Sequence, residues 1–238
     1  MERKCTLTLT ANAGLIIDIN ESVLFIDALH HGSPGKYSPV NDEIFNTICT
    51  SDEVNNPSVL LYSHCHPDHF SEDMTAKFIS DRKIPCIIPE KVFNSQILLT
   101  DDYEEFRISG FRILCFRLPH SGDSSSEPVL YGFVIEKDGI RILVPGDCET
   151  ASAELEEILL TIGKIDIAVL NYPWGALFKG RRFIKEIMKP DEVLLVHIPF
   201  PEDDTNKVRI MLDRQMKRIG SSNFRLMEKP LQKEEFFL

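Results

Sequence analysis

The segment Ser63-His64-Cys65-His66-Pro67-Asp68-His69 places four potential metal ligands within six residues. Side chains alternate in extended backbone, so His64 and His66 project to one side and can grip one ion together. Asp68 and His69 then fall on a turn and can face a second ion. Imidazole and carboxylate suit zinc, iron, manganese or cobalt. The plain alternative is a solvated histidine-rich turn, but three histidines and an aspartate at this spacing rarely arise by chance. Divalent ions held this way make water ionise near neutral pH and polarise a substrate oxygen. That is the chemistry of hydrolysis.

The motif needs a rigid support. Just upstream, Val59-Leu60-Leu61-Tyr62 is a continuous apolar run, expected as a strand buried on both faces. Just downstream, Ser71 is placed to N-cap a helix carrying Met74, Phe78 and Ile79 on one face. Before the motif, Leu7 and Leu9 alternate with threonines. Runs at 14–19 and 23–27 then flank the polar turn Asn20-Glu21-Ser22, which is a hairpin pattern. Gly32, Pro34, Gly35 and Pro39 predict a loop, followed by a short helix near 42–49.

Beyond the motif the pattern predicts a strand at 86–89 and two strands over 106–118, split at Ser109-Gly110. A hairpin follows over 129–136 and 140–144, around Lys137-Asp138-Gly139. Helices are expected at 154–161, at 183–188 before Pro190, and at 204–219. In the last, Val208, Met211, Leu212, Gln215 and Ile219 share one side and Gly220 is the expected C-cap. Strands are expected at 165–170 and 193–196. This order suggests two packed sheets with helices outside, in a single domain over residues 1–238.

Composition narrows the function. Hydrophobic residues make up 43% and charged residues 26%, as in an ordinary globular chain. A net charge of -11 repels phosphate backbones and disfavours a nucleic-acid partner. No run approaches the ~18 apolar residues of a membrane span, and the first residues lack the apolar region of an export signal. A cytoplasmic protein is therefore expected, with no membrane partner. Cys5, Cys49, Cys65, Cys86, Cys115 and Cys148 lack regular spacing, which suggests reduced thiols. No feature of the sequence specifies an oligomeric state.

The pattern from His64 to His69 resembles the H-x-H-x-D-H signature of the metallo-β-lactamase superfamily. The likeness continues in His120 of Pro119-His120-Ser121, in the Gly146-Asp147 pair, and in His197 after Val196. It covers roughly residues 10 to 200, including the opening hairpin that ends in Ile26-Asp27. The resemblance implies an α+β fold, a four-layer αββα sandwich with a dinuclear metal centre at one edge. It implies that His64, His66 and His120 hold one ion, that Asp68, His69 and His197 hold the other, and that Asp147 bridges them. A metal-bridged hydroxide would be the nucleophile, with Asp68 and His69 in catalytic positions. The cofactors would be two divalent ions. Affinity favours zinc over manganese and iron, although availability often decides.

Of the seven histidines, five enter this scheme. His30 and His31 follow the Asp27 strand, in a loop that in this family lies near the active-site mouth. They are candidates for substrate contact or a general acid, or are plain loop histidines. Asp27 is expected to orient a ligand histidine. Cys65 should point away from the metal side, and Cys148 is a candidate neighbour of the site or a buried thiol. Lys179-Gly180-Arg181-Arg182 reads first as a solvated basic face, with receipt of an anionic group as the alternative, and Tyr172-Pro173-Trp174-Gly175 either lines the site or packs.

Two branches of the family compete. The stretch from Asn171-Tyr172-Pro173 through Lys189-Pro190-Asp191-Glu192-Val193 to His197 resembles the L-ascorbate-6-phosphate lactonase branch. Pro119-His120-Ser121 with Tyr131-Gly132-Phe133 looks more like the phosphodiesterase and tRNA 3′-processing branch. The leading expectation is a hydrolase acting on a small-molecule lactone, ester or related carbonyl. A phosphodiesterase and a non-catalytic metal-binding protein are the alternatives. Flavin-linked diiron reductases of this superfamily carry glutamate where His66 stands, and true β-lactamases are usually exported.

Overall fold

The computed structural model describes residues 3–122, 128–219 and 223–238. It contains two seven-stranded sheets. The first is built from β1 (Lys4–Leu9), β2 (Leu15–Ile19), β3 (Ser22–Ile26), β4 (Leu60–Leu61), β5 (Cys86–Ile88) and β6 (Ile97–Leu98), with the C-terminal β14 (Lys233–Phe237) on the far side of β1. The second runs from β7 (Tyr103–Ile108) through β8 (Phe111–Leu118), β9 (Leu130–Lys137), β10 (Ile140–Val144), β11 (Ile167–Asn171) and β12 (Glu192–Val196) to β13 (Phe224–Leu226).

Local chemistry sets the antiparallel half of each sheet. Asn20 and Glu21, Ser109 and Gly110, and Asp138 and Gly139 all adopt positive φ between directly paired strands. Two consecutive left-handed residues make the turn whose twist matches a right-twisted hairpin. The parallel half of each sheet needs crossovers. Helices α1 (Asp42–Thr50) and α2 (Glu72–Ile79) serve the first sheet. Helices α3 (Ala153–Ile162), α4 (Tyr172–Ala176), α5 (Phe178–Phe183) and α6 (Val208–Ile219) serve the second. Asn41, Ser71 and Ser152 cap α1, α2 and α3 through their side-chain oxygens.

Period-two alternation divides the core. In β8, Ile113 and Cys115 join the large cluster shared with the first sheet and with Ile44, Phe45, Ile48 and Phe78 of α1 and α2. Their neighbours Leu114 and Phe116 join a second cluster with Leu155, Trp174, Phe183 and Leu212. The layers are therefore helix, sheet, sheet, helix, an α+β sandwich as expected.

Several elements differ from the sequence reading. The segment expected as one helix at 183–188 is α5 followed by a π-helical turn, Ile184–Met188. Residues 172–176 are helical, because Pro173 sits in the first turn, where its missing N–H has no cost. Helix α6 begins at Val208, not Asp204. The Asp204 carboxylate instead accepts from Val208 N–H at 2.6 Å and Arg209 N–H at 3.1 Å. Only part of its anticipated apolar side is buried. Val208 and Leu212 face inward, whereas Met211 is exposed. Gly220, the expected cap, lies outside the described residues. No helix among the described residues is long and apolar enough to cross a membrane. All six cysteines are free thiols.

Candidate metal centre

Six strands end at one edge of the sandwich, and the residue types singled out above follow them. Asp27 follows β3. Ser63 through His69 follow β4. His120 follows β8, Asp147 follows β10, Asn171 closes β11 and His197 follows β12. Short backbone links draw the second sheet's loops together. His120 and Cys148 form an isolated antiparallel bridge, Ser121 N–H donates to Asp147 C=O at 2.8 Å, and Glu149 N–H donates to Pro119 C=O at 2.9 Å. Asp27 and His197 both adopt left-handed backbone, with φ of 51° and 57°. A non-glycine residue pays about 1–3 kcal/mol for such strain, which persists where surrounding contacts fix it. Here Asp27 N–H donates to Leu61 C=O and His197 N–H to Asn12 C=O.

All seven residues expected as ligands converge. Three triads each bring their ligand atoms within 4.8 Å of one another: His64, His66 and His120; His64, His69 and Asp147; and Asp68, His69 and His197. His64 Nε2 lies 3.1 Å from His66 Nδ1, and His69 Nε2 lies 3.1 Å from His197 Nε2. One Asp147 oxygen sits 3.4 Å from both His69 Nε2 and His197 Nε2. Asp68 Oδ2 is 3.5 Å from His197 Nε2.

The imidazoles are oriented from behind. Asp27 accepts from Ser63 N–H at 2.7 Å, from Ser63 Oγ–H at 2.6 Å and from His69 Nδ1–H at 2.9 Å. With its proton committed to Asp27, Ser63 Oγ accepts from His64 Nδ1–H at 3.0 Å. Both rings thereby turn Nε2 toward the cluster, the nitrogen through which each would ligate a metal. Nitrogen lone pairs aimed at one point repel unless a cation lies between them. The donor set therefore fits divalent metal ions.

Electrostatics agree. Burial pulls the His64 imidazole well below its ordinary pKa, so it is neutral and able to ligate. Burial would raise the Asp147 carboxyl, but His197 and His69 outweigh it and hold Asp147 well below the usual carboxylate range. Burial likewise opposes charge on His69, and Asp147 and Asp27 overcome it, pushing His69 well up. The cluster thus collects carboxylate charge that a proton on His69 partly balances, and a metal would compete with that proton.

A cleft of about 440 Å³ opens over the cluster, with Tyr37, Asp68, His120, Asp147, Tyr172 and His197 in its walls. Tyr172 and Pro173 line it as expected, whereas Trp174 is fully buried in the outer core. Lys36, at its rim, is the only lysine or arginine among the described lining residues.

The remaining candidates do not line the cleft. His30 faces no cleft. It is fully buried, with one ring nitrogen donating to Ala11 C=O at 2.8 Å and the other accepting from Gly32 N–H at 3.1 Å. Burial lowers its pKa to about 4, so it stays neutral. His31 pairs on the surface with Asp73 at 2.6 Å. Cys65 packs against the inner core and Cys148 lies buried in the outer one. Arg181 donates to the Gly175 and Ala176 carbonyls, and Arg182 pairs with Glu186. Only Lys179 of that basic run lines a side pocket beside the cleft. The sequence reading assigns no role to Ser63, Tyr37 or Asn171. Ser63 had a signal, since it directly precedes the first histidine.

A four-layer sandwich with a histidine–aspartate cluster at one sheet edge is the architecture of a metal-ligating hydrolase-type fold. Residues 6–186 match the family described as the beta-lactamase superfamily domain, and the chain belongs to that family. No curated protein matches it. Among solved structures, the chain is similar to Igni18, a novel metallo hydrolase from Ignicoccus hospitalis (TM-score 0.69, 17% identity, 98% of each chain covered). It is also similar to isothiocyanate hydrolase from Delia radicum gut bacteria (0.66, 16%, covering 99% of this chain and 100% of that one). A third similar structure is CmlA, a diiron beta-hydroxylase from Streptomyces venezuelae (0.70, 14%, 98% of this chain and 54% of that one). The present chain spans about half the length of CmlA.

Proposed function

We propose that this chain is a metal-dependent hydrolase that holds two divalent ions and cleaves a small-molecule lactone, ester or related carbonyl compound. The observation that carries this reading is the three ligand triads, which overlap at His64 and His69. On this reading His64, His66 and His120 hold one ion, Asp68, His69 and His197 the other, and Asp147 lies between. Bound there, divalent ions bring the pKa of water to about 7 and polarise the substrate oxygen. Affinity favours zinc, with manganese and iron as the alternatives.

The chain's own residues supply position. Asp27 and Ser63 lock the tautomers of His69 and His64. Asn171 Nδ2, 3.3 Å from an Asp147 oxygen, steadies that carboxylate. Asp68 lines the cleft and can accept a proton from the attacking water. The cleft's size suits a small molecule. A single lysine at its rim, in a chain of net charge -11, argues against a nucleic-acid substrate. The sequence likeness over 171–197 favours a lactone or ester over a phosphodiester.

The test is turnover by metal-loaded protein against sugar lactones, alkyl and aryl esters, and bis(p-nitrophenyl) phosphate, with Asp147→Ala as control. Carbonyl hydrolysis by the wild type alone is expected. Turnover confined to the phosphodiester would replace the substrate class. No turnover of any substrate by metal-loaded protein would overturn the hydrolase reading.

A further inference from the structure

We infer that Tyr37 is a substrate-contacting residue that donates a hydrogen bond from its phenol to the leaving oxygen of an alkyl ester or lactone. The inference rests on the hydrolase reading above and adds the residue that favours an alkoxide leaving group.

The loop around Tyr37 is built to hold it. Ser33 and Tyr37 form an isolated antiparallel bridge, with N–H to C=O distances of 2.9 and 2.8 Å in the two directions. Gly32 enters the turn at φ 72°, and a Cβ there would lie 2.4 Å from Tyr37 C=O. On the other side, Ser38 is clamped twice. Its carbonyl accepts from Asn12 Nδ2 at 2.6 Å, and its hydroxyl donates to Asp203 at 2.5 Å. Asn12 also holds the His197 backbone, so one residue ties the Tyr37 loop to the metal-facing histidine.

The ring that this loop presents packs on His197, with centroids 4.1 Å apart, and lines the cleft. Only 9% of Tyr37 is exposed. Its hydroxyl forms no hydrogen bond with any described residue, yet it is not among the sealed, unsatisfied polar atoms. A buried phenol normally finds a partner. Here the open direction is the cleft, which leaves that position to a ligand. A phenol donates through its O–H, and burial pushes that of Tyr37 further above the ordinary value near 10.

The step balances without oxidant or cofactor turnover. Water adds to the carbonyl carbon, and the bond from that carbon to the leaving oxygen breaks with its electron pair on oxygen. That oxygen takes one proton of the water. The other is released with the carboxylate product. Tyr37 keeps its own proton and stabilises charge on the leaving oxygen as it develops. The contact matters most for a poor leaving group, because an aryl oxide carries its own charge well.

The test compares Tyr37→Phe with wild type on an alkyl ester or lactone and on its p-nitrophenyl analogue. Metal content, thermal midpoint and calorimetric affinity for an alkylphosphonate monoester, a tetrahedral mimic, are measured on the same samples. Expected are a kcat loss of about 100-fold on the alkyl substrate, a much smaller loss on the aryl one, weaker mimic binding, and unchanged metal content and midpoint. Equal losses on both substrates, or none, would overturn the inference while leaving the hydrolase reading intact. Loss of metal from Tyr37→Phe would also overturn it, since the residue would then act only by supporting His197. A wild type that binds metal but turns over no ester or lactone would refute both readings.

Discussion

Asp27 offers the sharpest perturbation, because one carboxylate orients two histidines of the cluster, His69 directly and His64 through Ser63. It is buried and accepts three hydrogen bonds, from Ser63 N–H, Ser63 Oγ–H and His69 Nδ1–H. Asp27→Asn preserves shape but has one acceptor oxygen. If that oxygen serves Ser63 Oγ and His69, the amide N–H₂ meets Ser63 N–H across a gap that is now 2.7 Å. Leaving that buried donor unmet costs about 1–3 kcal/mol. If the amide is reversed, its N–H₂ faces His69 Nδ1, now 2.9 Å away. His69 must then move its proton to Nε2 and lose the lone pair aimed at His197. Loss of such an outer partner lowers metal affinity by about 10–100-fold. The assay is competition against a chelating dye, with the thermal midpoint of the metal-free protein measured in parallel. Metal affinity within twofold of wild type, together with an unchanged midpoint, would refute the orienting role.

Other consequences are open to direct measurement. Gly14→Ala should destabilise strongly, because its Cβ would lie 2.7 Å from Asp27 C=O, which cannot move aside cheaply; a midpoint within a degree of wild type would contradict the packing. Glu136 bonds Arg112 and Arg141, which outweigh burial and lower its carboxyl pKa in the folded state. Its stabilisation is therefore present above the unfolded pKa, near 4.3, and is lost as pH falls through the lower folded value. Between pH 5 and 3 the wild-type midpoint should drop more than that of Glu136→Gln; parallel curves would remove Glu136 from the account. Burial pushes the Cys5, Cys65 and Cys86 thiols up to about 12, and Cys115 and Cys148 higher still. A thiol reagent at pH 8 should modify Cys49 first in the folded protein, which peptide mapping would read. Asp204→Ala should cost about 1 kcal/mol through loss of the α6 cap, measured by denaturant unfolding.

The contiguous half of the site was legible because its spacing is itself a geometric statement. His64, His66, Asp68 and His69 need only a strand and a turn to converge. His120, Asp147 and His197 are different. Each alone is an ordinary residue at a strand end, and only the family resemblance ordered them. Asp27 was legible as an orienting carboxylate. Tyr37 was not, because a Gly- and Pro-rich loop carries no periodicity that tells which way a side chain points. His30 misled for a related reason, since proximity in sequence to the cleft says nothing about burial. The hairpins were read correctly from turn residues such as Asp138-Gly139. Strand β14 was missed because its partner β1 lies more than two hundred residues away, and Lys233–Phe237 shows weak alternation. The start of α6 was misplaced because Asp204 caps the helix from outside it.

Metal stoichiometry decides whether the histidine–aspartate cluster holds a pair of ions. Protein stripped with chelator, reloaded with zinc and freed of excess should be analysed by plasma mass spectrometry alongside Asp147→Ala and His66→Ala. Two ions per wild-type chain are expected, and fewer in both variants. A wild type that retains none, or variants that retain as many as the wild type, would contradict the two-ion centre.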